Sequence, residues 1–198
     1  FLNNMDYTRN IDYLYRENAW RVRSALSYSQ SIDISNEAAV ATEPVLLADA
    51  KLYMKIESSD TVDDDLITAM ITAARRMVES YTGMNMIARE VVAIINNKNG
   101  GVYLPYGPIG TITSIKDYDD TTLTSDQYKV IGSQFKQIDW PCYEYLKVTY
   151  TGGYTTCPAE LVNAIKAQVL FLYENRGDAT VDLSPAVALI LKPLRRVS

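Results

Sequence analysis

"VTYTGGYTTCPAEL", Val148 to Leu161, sets a pair of glycines between an apolar, strand-like run and the start of a helix. Such a junction either cradles a phosphate or turns the chain, and the two readings lead to different folds. A nucleotide-binding loop needs several glycines for close backbone approach, usually with a lysine for the phosphates. This stretch has no basic residue, and neither GxxxxGK[ST] nor GxGxxG occurs anywhere in the sequence. Gly152 and Gly153 are therefore read as a structural turn, where a strand ends and reverses into a helix with Pro158 in its first turn.

Downstream, "PAELVNAIKAQVLFLYENR" puts Leu161, Ile165, Val169 and Leu172 on one helical face. "LSPAVALILKPLRR" reads as a last short helix beginning near Ser184 and ended by Pro193, with Lys192, Arg195 and Arg196 making the tail locally basic. Upstream, Arg89 to Thr151 alternates strand-like runs rich in Val, Ile, Tyr and Thr with turns of Gly, Pro, Asn and Asp. Asn99-Gly100 is a hairpin signal between "REVVAIINN" and "GVYLP". Before this region, Leu66, Ile67, Met70, Ile71, Ala74, Met77, Val78 and Tyr81 mark the strongest amphipathic helix of the chain. Asp63, Asp64 and Asp65 lie at its start, where capping and the helix dipole favour acids, and Gly83 can stop it. "DTVDDD" lacks the central glycine and terminal glutamate of an EF-hand loop, so no metal site is read there. Arg75 and Arg76 fall on the solvated face of this helix; an inter-subunit salt bridge is their functional alternative. "PVLLADAKLYMKI" supplies a shorter first helix, with Leu47, Ala50 and Met54 on one side. The fold class expected is α+β, helices packed with a small inserted antiparallel β-sheet unit.

The first 42 residues read differently. Ile11, Leu14, Tyr15, Val22, Ala25 and Leu26 form an approximate helical stripe, and "SYSQSIDISNEAAVATEP" follows as a linker. An arm held off in this way has no core of its own and needs a neighbour, with Tyr7, Tyr13 and Trp20 as candidate contacts; disorder or packing on its own domain is the alternative. The expected organisation is an arm and linker over 1–42 and one domain over 43–198, with helices in 45–83 and 158–196 and the β-rich insertion in 88–151.

Composition narrows the chemistry. A compact part of about 150 residues buries roughly 70% of its unfolded surface, enough for a stable core. No apolar run approaches the ~18 residues of a membrane span, and the amino end lacks the apolar core of a secretory signal. A net charge of −5 argues against a protein that grips duplex DNA, which needs cations to displace phosphate counterions. With His 0 in the sequence, Ser-His-Asp and Cys-His catalysis and histidine-ligated metals are excluded within the chain. Cys142 and Cys157 flank the last strand, but two thiols neither build a disulfide scaffold nor fill a zinc site. No cofactor is expected. The 15 tyrosines, against 3 phenylalanines, favour contacts between proteins, because a tyrosine covers apolar surface and keeps a polar tip.

The order of these elements carries a resemblance. "PVLLADAKLYMKIESSDTVDDDLITAMITAARRMVESYTGMNM" resembles the opening of the head–tail connector (head-completion adaptor) proteins of long-tailed bacteriophages: an "A-K-x-x-x-x-I" helix, an acidic loop, and a long helix ending "x-Y-T-G". "VTYTGGYTTCPAELVNAIKAQVLFLYENRGD" is similar to their "V-x-Y-x-x-G-Y" phrase, "P-x-x-[LV]-x-x-A-I" helix and "Y-E-N-R" ending. The likeness spans Pro44 to Arg196 and leaves the arm outside. It implies a structural virion protein at the neck: a ring, commonly of twelve copies, below the portal, extending the DNA channel and docking the tail. The implied partners are the portal protein, a tail-side neck or tail-completion protein, further copies of the chain, and double-stranded DNA that passes through without sequence-specific binding. It also makes Leu189, Ile190, Lys192, Leu194, Arg195 and Arg196 the candidate portal contact, and Arg75, Arg76, Tyr103 and Tyr118 candidates for the subunit interface. Two alternatives stay open: a small cytosolic enzyme using carboxylate or tyrosine chemistry, and a protein-binding adaptor that closes no ring.

Overall fold

Val148 and its neighbours lie in the central part of a sheet. The computed structural model describes residues 31–38, 42–96, 101–140, 145–177 and 182–195. Four antiparallel strands, β1 (Ser31–Glu37), β2 (Arg89–Asn96), β4 (Ile109–Lys116) and β7 (Tyr145–Gly152), form one sheet in the order β1-β2-β7-β4. Along β7, Leu146, Val148 and Tyr150 are buried while Tyr145, Lys147 and Thr149 are half-buried, the period of two that one covered face produces. A second sheet pairs β3 (Val102–Tyr103), β6 (Gln137–Asp139) and β5 (Lys129–Ile131) in the order β3-β6-β5. It packs on the first around Ile95, Ile138, Trp140, Leu146 and Tyr150, all at most 1% exposed. The single small sheet expected from sequence is thus two sheets sharing one core.

Two readings are corrected by the pairing. The linker expected after residue 28 contains β1, which runs antiparallel to β2 from Ser31↔Asn96 to Glu37↔Val91. Ile32 and Ile34 pack against the sheet core, so the boundary at residue 42 falls on the wrong side of a strand. The alternation in "SIDIS" was its only local signal, and serine and asparagine around it masked it. The Asn99-Gly100 hairpin is the second correction: β2 and β3 belong to different sheets, so they do not pair, and residues 97–100 themselves lie outside those described.

The helices build a second core. They are α1 (Leu47–Met54), α2 (Asp64–Thr82), α3 (Ala159–Glu174) and α4 (Pro185–Leu191), followed by a 3-10 turn at Lys192–Leu194. Ile67, Ile71, Ala74 and Val78 of α2 meet Leu161, Ala164, Ile165 and Val169 of α3, with Val187 and Leu191 of α4 closing one side. Each large side chain buried there contributes about 1.5–3 kcal/mol. The stripe read from sequence holds except at Leu66, which is 39% exposed in the first turn of α2. Pro158 sits one residue earlier than expected, at the N-cap of α3, whereas Pro185 takes the first position of α4, where a missing N–H costs nothing.

The glycine pair joins the two halves. Gly153 has φ +119°, a region that residues with a Cβ rarely adopt, and a Cβ there would collide with the Ile87 carbonyl. At Gly152 a Cβ would stand 2.8 Å from the Tyr106 carbonyl oxygen. Gly153 N–H donates to Pro108 O and Ala88 N–H to Tyr154 O, both at 2.8 Å, so the chain turns here while crossing the start of β2.

Candidate interaction surfaces and the buried ionic hub

Arg75 and Glu79 are one turn apart on α2, a spacing that brings the two side chains together. Their ion pair measures 2.7 Å with 6% and 7% of the side chains exposed. Glu79 also accepts from Arg89 Nη1 at 3.0 Å, Arg89 Nη2 at 3.2 Å and the Met86 N–H at 2.9 Å. On its other side Arg75 Nε donates to Glu43 at 2.7 Å, and Thr72 Oγ1 donates to the same carboxylate at 2.9 Å. Arg89 reaches Asn85 Oδ1 at 2.8 Å, and Asn85 Nδ2 reaches Gly152 O at 3.3 Å. One hub therefore ties the segment before α1, the middle of α2 and the first residue of β2. The expected solvated Arg75–Arg76 pair is corrected: Arg75 is buried and satisfied within its own chain, and Arg76 alone is exposed.

The acidic loop has a different internal use from the one expected. Asp63 occupies the N-cap position of α2 without a side-chain cap bond. It accepts instead from Tyr173 Oη at 2.6 Å, a bond that raises the phenol above its usual pKa against the opposing pull of Arg176, and from Arg176 Nη1 at 3.3 Å; both contacts fasten the loop to the end of α3. Lys51, 4% exposed, points its ammonium at Asp64 Oδ1 at 2.7 Å, Ser58 O at 3.4 Å and Asp60 O. A lysine ammonium thus occupies the oxygen cradle of the acidic loop.

The candidate contact residues are spread over several surfaces. Leu189 and Ile190 of α4 are 71% and 51% exposed while Val187 and Leu191 of the same helix are buried, so the helix is anchored on one face and bare on the other. Lys192 and Arg195 are exposed and Leu194 is partly buried against the helical core; Arg195 stacks 5.3 Å above the Tyr81 ring. Gln168, fully buried, receives the Ser184 N–H at 2.8 Å and donates to Asp182 O at 3.1 Å, which fixes where α4 begins. Tyr103 and Tyr118 are 65% and 80% exposed, the latter edge-on to Tyr145 with centroids 5.6 Å apart. Arg196, Tyr7, Tyr13, Trp20 and Cys142 lie outside the described residues. Cys157 is a free thiol whose pKa is pushed up to about 11, by burial first and by the Glu79 carboxylate second.

Sequence reasoning missed Glu43, Lys51, Glu79, Arg89 and Gln168. Only the i,i+4 spacing of Arg75 and Glu79 offered a local sign; the ion-pair partners Glu43–Arg75, Lys51–Asp64 and Glu79–Arg89, and the Gln168 contacts, are ten or more residues distant along the chain. The exposed Leu52, Val62, Val130 and Ile131 were missed as well.

The head completion protein family matches residues 46–182, more than two thirds of the sequence. The chain belongs to that family. Membership places it among the structural proteins of the phage head–tail connector class, as the order of its motifs suggested. The fold agrees with solved structures. A chain from the neck of an empty gene transfer agent (GTA) particle, computed with C6 symmetry, superimposes with a TM-score of 0.69 at 16% identity, covering 85% of this chain and 96% of that one. A chain from the virion of the native GTA particle gives 0.66, and one from the native neck computed with C12 symmetry gives 0.65; both are 16% identical and cover 84% of this chain and 96% of theirs. No curated protein sequence matches the chain.

Proposed function

We propose that this head completion protein assembles as a twelvefold ring in the neck of a virion, below the portal, where it extends the DNA channel and docks the tail. The family match over 46–182 carries the reading, and the shared fold with GTA neck chains, one computed with C12 symmetry, supports it. The bare face of α4, Leu189 and Ile190, with Lys192, Leu194, Arg195 and Arg196 beyond it, is the portal contact. Apolar side chains beside cations on an anchored helix suit a protein groove. Arg76, Tyr103 and Tyr118 remain exposed and available to neighbouring copies or the tail-side protein; Arg75 serves instead as a buried brace between Glu43 and Glu79. An overall charge of −5 lets duplex DNA pass without being held. The role we propose is structural and not enzymatic, in keeping with the family.

Electron microscopy of purified particles tests the reading. Density for this chain as a ring between portal and tail is expected, and deletion of the gene should leave filled heads without tails. Tailed, infectious particles assembled without the protein would refute it.

A further inference from the structure

The free edges of the two sheets are not alike. β1 slips register between Ile34 and Asn36, β4 slips twice between Ile109 and Ser114, and β3 is two residues long with Pro105 just beyond. Bulges, prolines and short strands are the devices that keep a sheet edge from recruiting another chain. β5 is short too, at three residues, and carries the charge of Lys129, but it has neither bulge nor proline, and all three residues are exposed. Val130 is 41% and Ile131 51% exposed; because successive side chains point to opposite faces, both faces of this edge are open. Lys129 beside them forms no ion pair among the described residues.

The helical half carries a group of the opposite kind. Val62 is 90% exposed in the 57–63 loop, which exposes Glu57 and Asp60 as well. The loop is held from beneath by Lys51, and at its end by Tyr173 and Arg176 on Asp63. A loop fixed this firmly presents its valine in one place, so little ordering entropy is lost when it docks.

The geometry points to a contact between copies in which the 57–63 loop of one subunit seats on the β5 edge of the next: Val62 against Val130 and Ile131, and Glu57 and Asp60 against Lys129. The inference rests on the ring reading. The two patches lie on different halves of the chain, so the contact is heterologous and propagates head to tail until rotation closes it. Opposite charge sets the register and steers the encounter.

Disulfide trapping in assembled particles tests this. Val62→Cys with Ile131→Cys, in a Cys142→Ser, Cys157→Ser background, should give on mild oxidation a ladder of covalent multimers that neither single cysteine gives. Independently, Lys129→Glu should lower particle yield by about tenfold or more, and Glu57→Lys should restore it, because like charges across an interface are strongly disfavoured. Rings without a ladder overturn this contact and leave the ring reading standing. An unaffected Lys129→Glu, or a loss that Glu57→Lys does not restore, overturns it too, and decides the matter if the double-cysteine chain does not assemble. Particles in which the chain forms no ring overturn both.

Discussion

Replacing Glu79 by alanine should be among the most damaging single changes in the molecule. Its carboxylate is bound by Arg75 at 2.7 Å, by Arg89 at 3.0 and 3.2 Å and by the Met86 N–H at 2.9 Å. The side chains of Glu79, Arg75 and Arg89 are 7%, 6% and 8% exposed, so water cannot substitute for the lost acid. Breaking a buried ion pair costs about 3–5 kcal/mol. Arg75 keeps Glu43 and Arg89 keeps Asn85, which places the expected loss near the lower end, about 3 kcal/mol. For a chain of this size each kcal/mol moves Tm by about 2–4 °C, so a fall of roughly 6–12 °C is expected. Trp140, 1% exposed in the neighbouring core, reports unfolding in a Trp20→Phe background, and urea titration of its fluorescence gives the free energy. Asp120→Asn is the control: its pairs with Lys116 and Lys147 are 3.8 and 3.6 Å long at a side chain 66% exposed and should contribute under about 1 kcal/mol, and asparagine keeps the left-handed backbone at φ 59° that alanine would strain. If Glu79→Ala costs no more than Asp120→Asn, the hub does not hold the two halves together.

Gly153→Ala should cost about 2 kcal/mol or more, since it sets a Cβ against the Ile87 carbonyl in a backbone region alanine rarely adopts; an unchanged urea midpoint would contradict the turn. In a Cys142→Ser chain, Cys157 should react with maleimide at pH 8 about 100-fold more slowly than a thiol at the ordinary 9.0, because a pKa of about 11 leaves so little thiolate. The folded thiol keeps its proton longer than the unfolded one, so this group's contribution declines as pH climbs from about 9 through 11, and Cys157→Ser should flatten that part of the stability profile. Equal maleimide rates in native and denatured protein would refute the shift. Gln168→Leu should lose about 1–3 kcal/mol by leaving the Ser184 N–H and Asp182 carbonyl unpaired, and hydrogen exchange should show α4 opening first. Uniform exchange across α3 and α4 would argue against the clamp.

Helices and motif order were legible because their signals are local. The α2 stripe follows from spacing and the strand of β7 from its run of valine, tyrosine and threonine. β1 escaped because its partner β2 lies more than fifty residues away and its flanks have linker composition. Two sheets were read as one because turn residues mark where strands end and say nothing of which strands pair. Arg75 was misplaced for a similar reason: periodicity measures apolar residues, and an arginine buried by carboxylates from residues 43 and 79 leaves no mark in it. The exposed loop and edge positions depend on what fails to cover them, which is a property of the assembled fold.

Gln168 has a mechanical consequence. The last helix meets α3 through one amide that grips the backbone on both sides of Leu183, backed by the buried Val187 and Leu191. A pull on Leu189 or Ile190 is delivered to the middle of α3, deep among packed side chains, and bypasses the chain between the two helices. Tension at the tail is thereby spread through the interior of the subunit instead of peeling its end away one residue at a time.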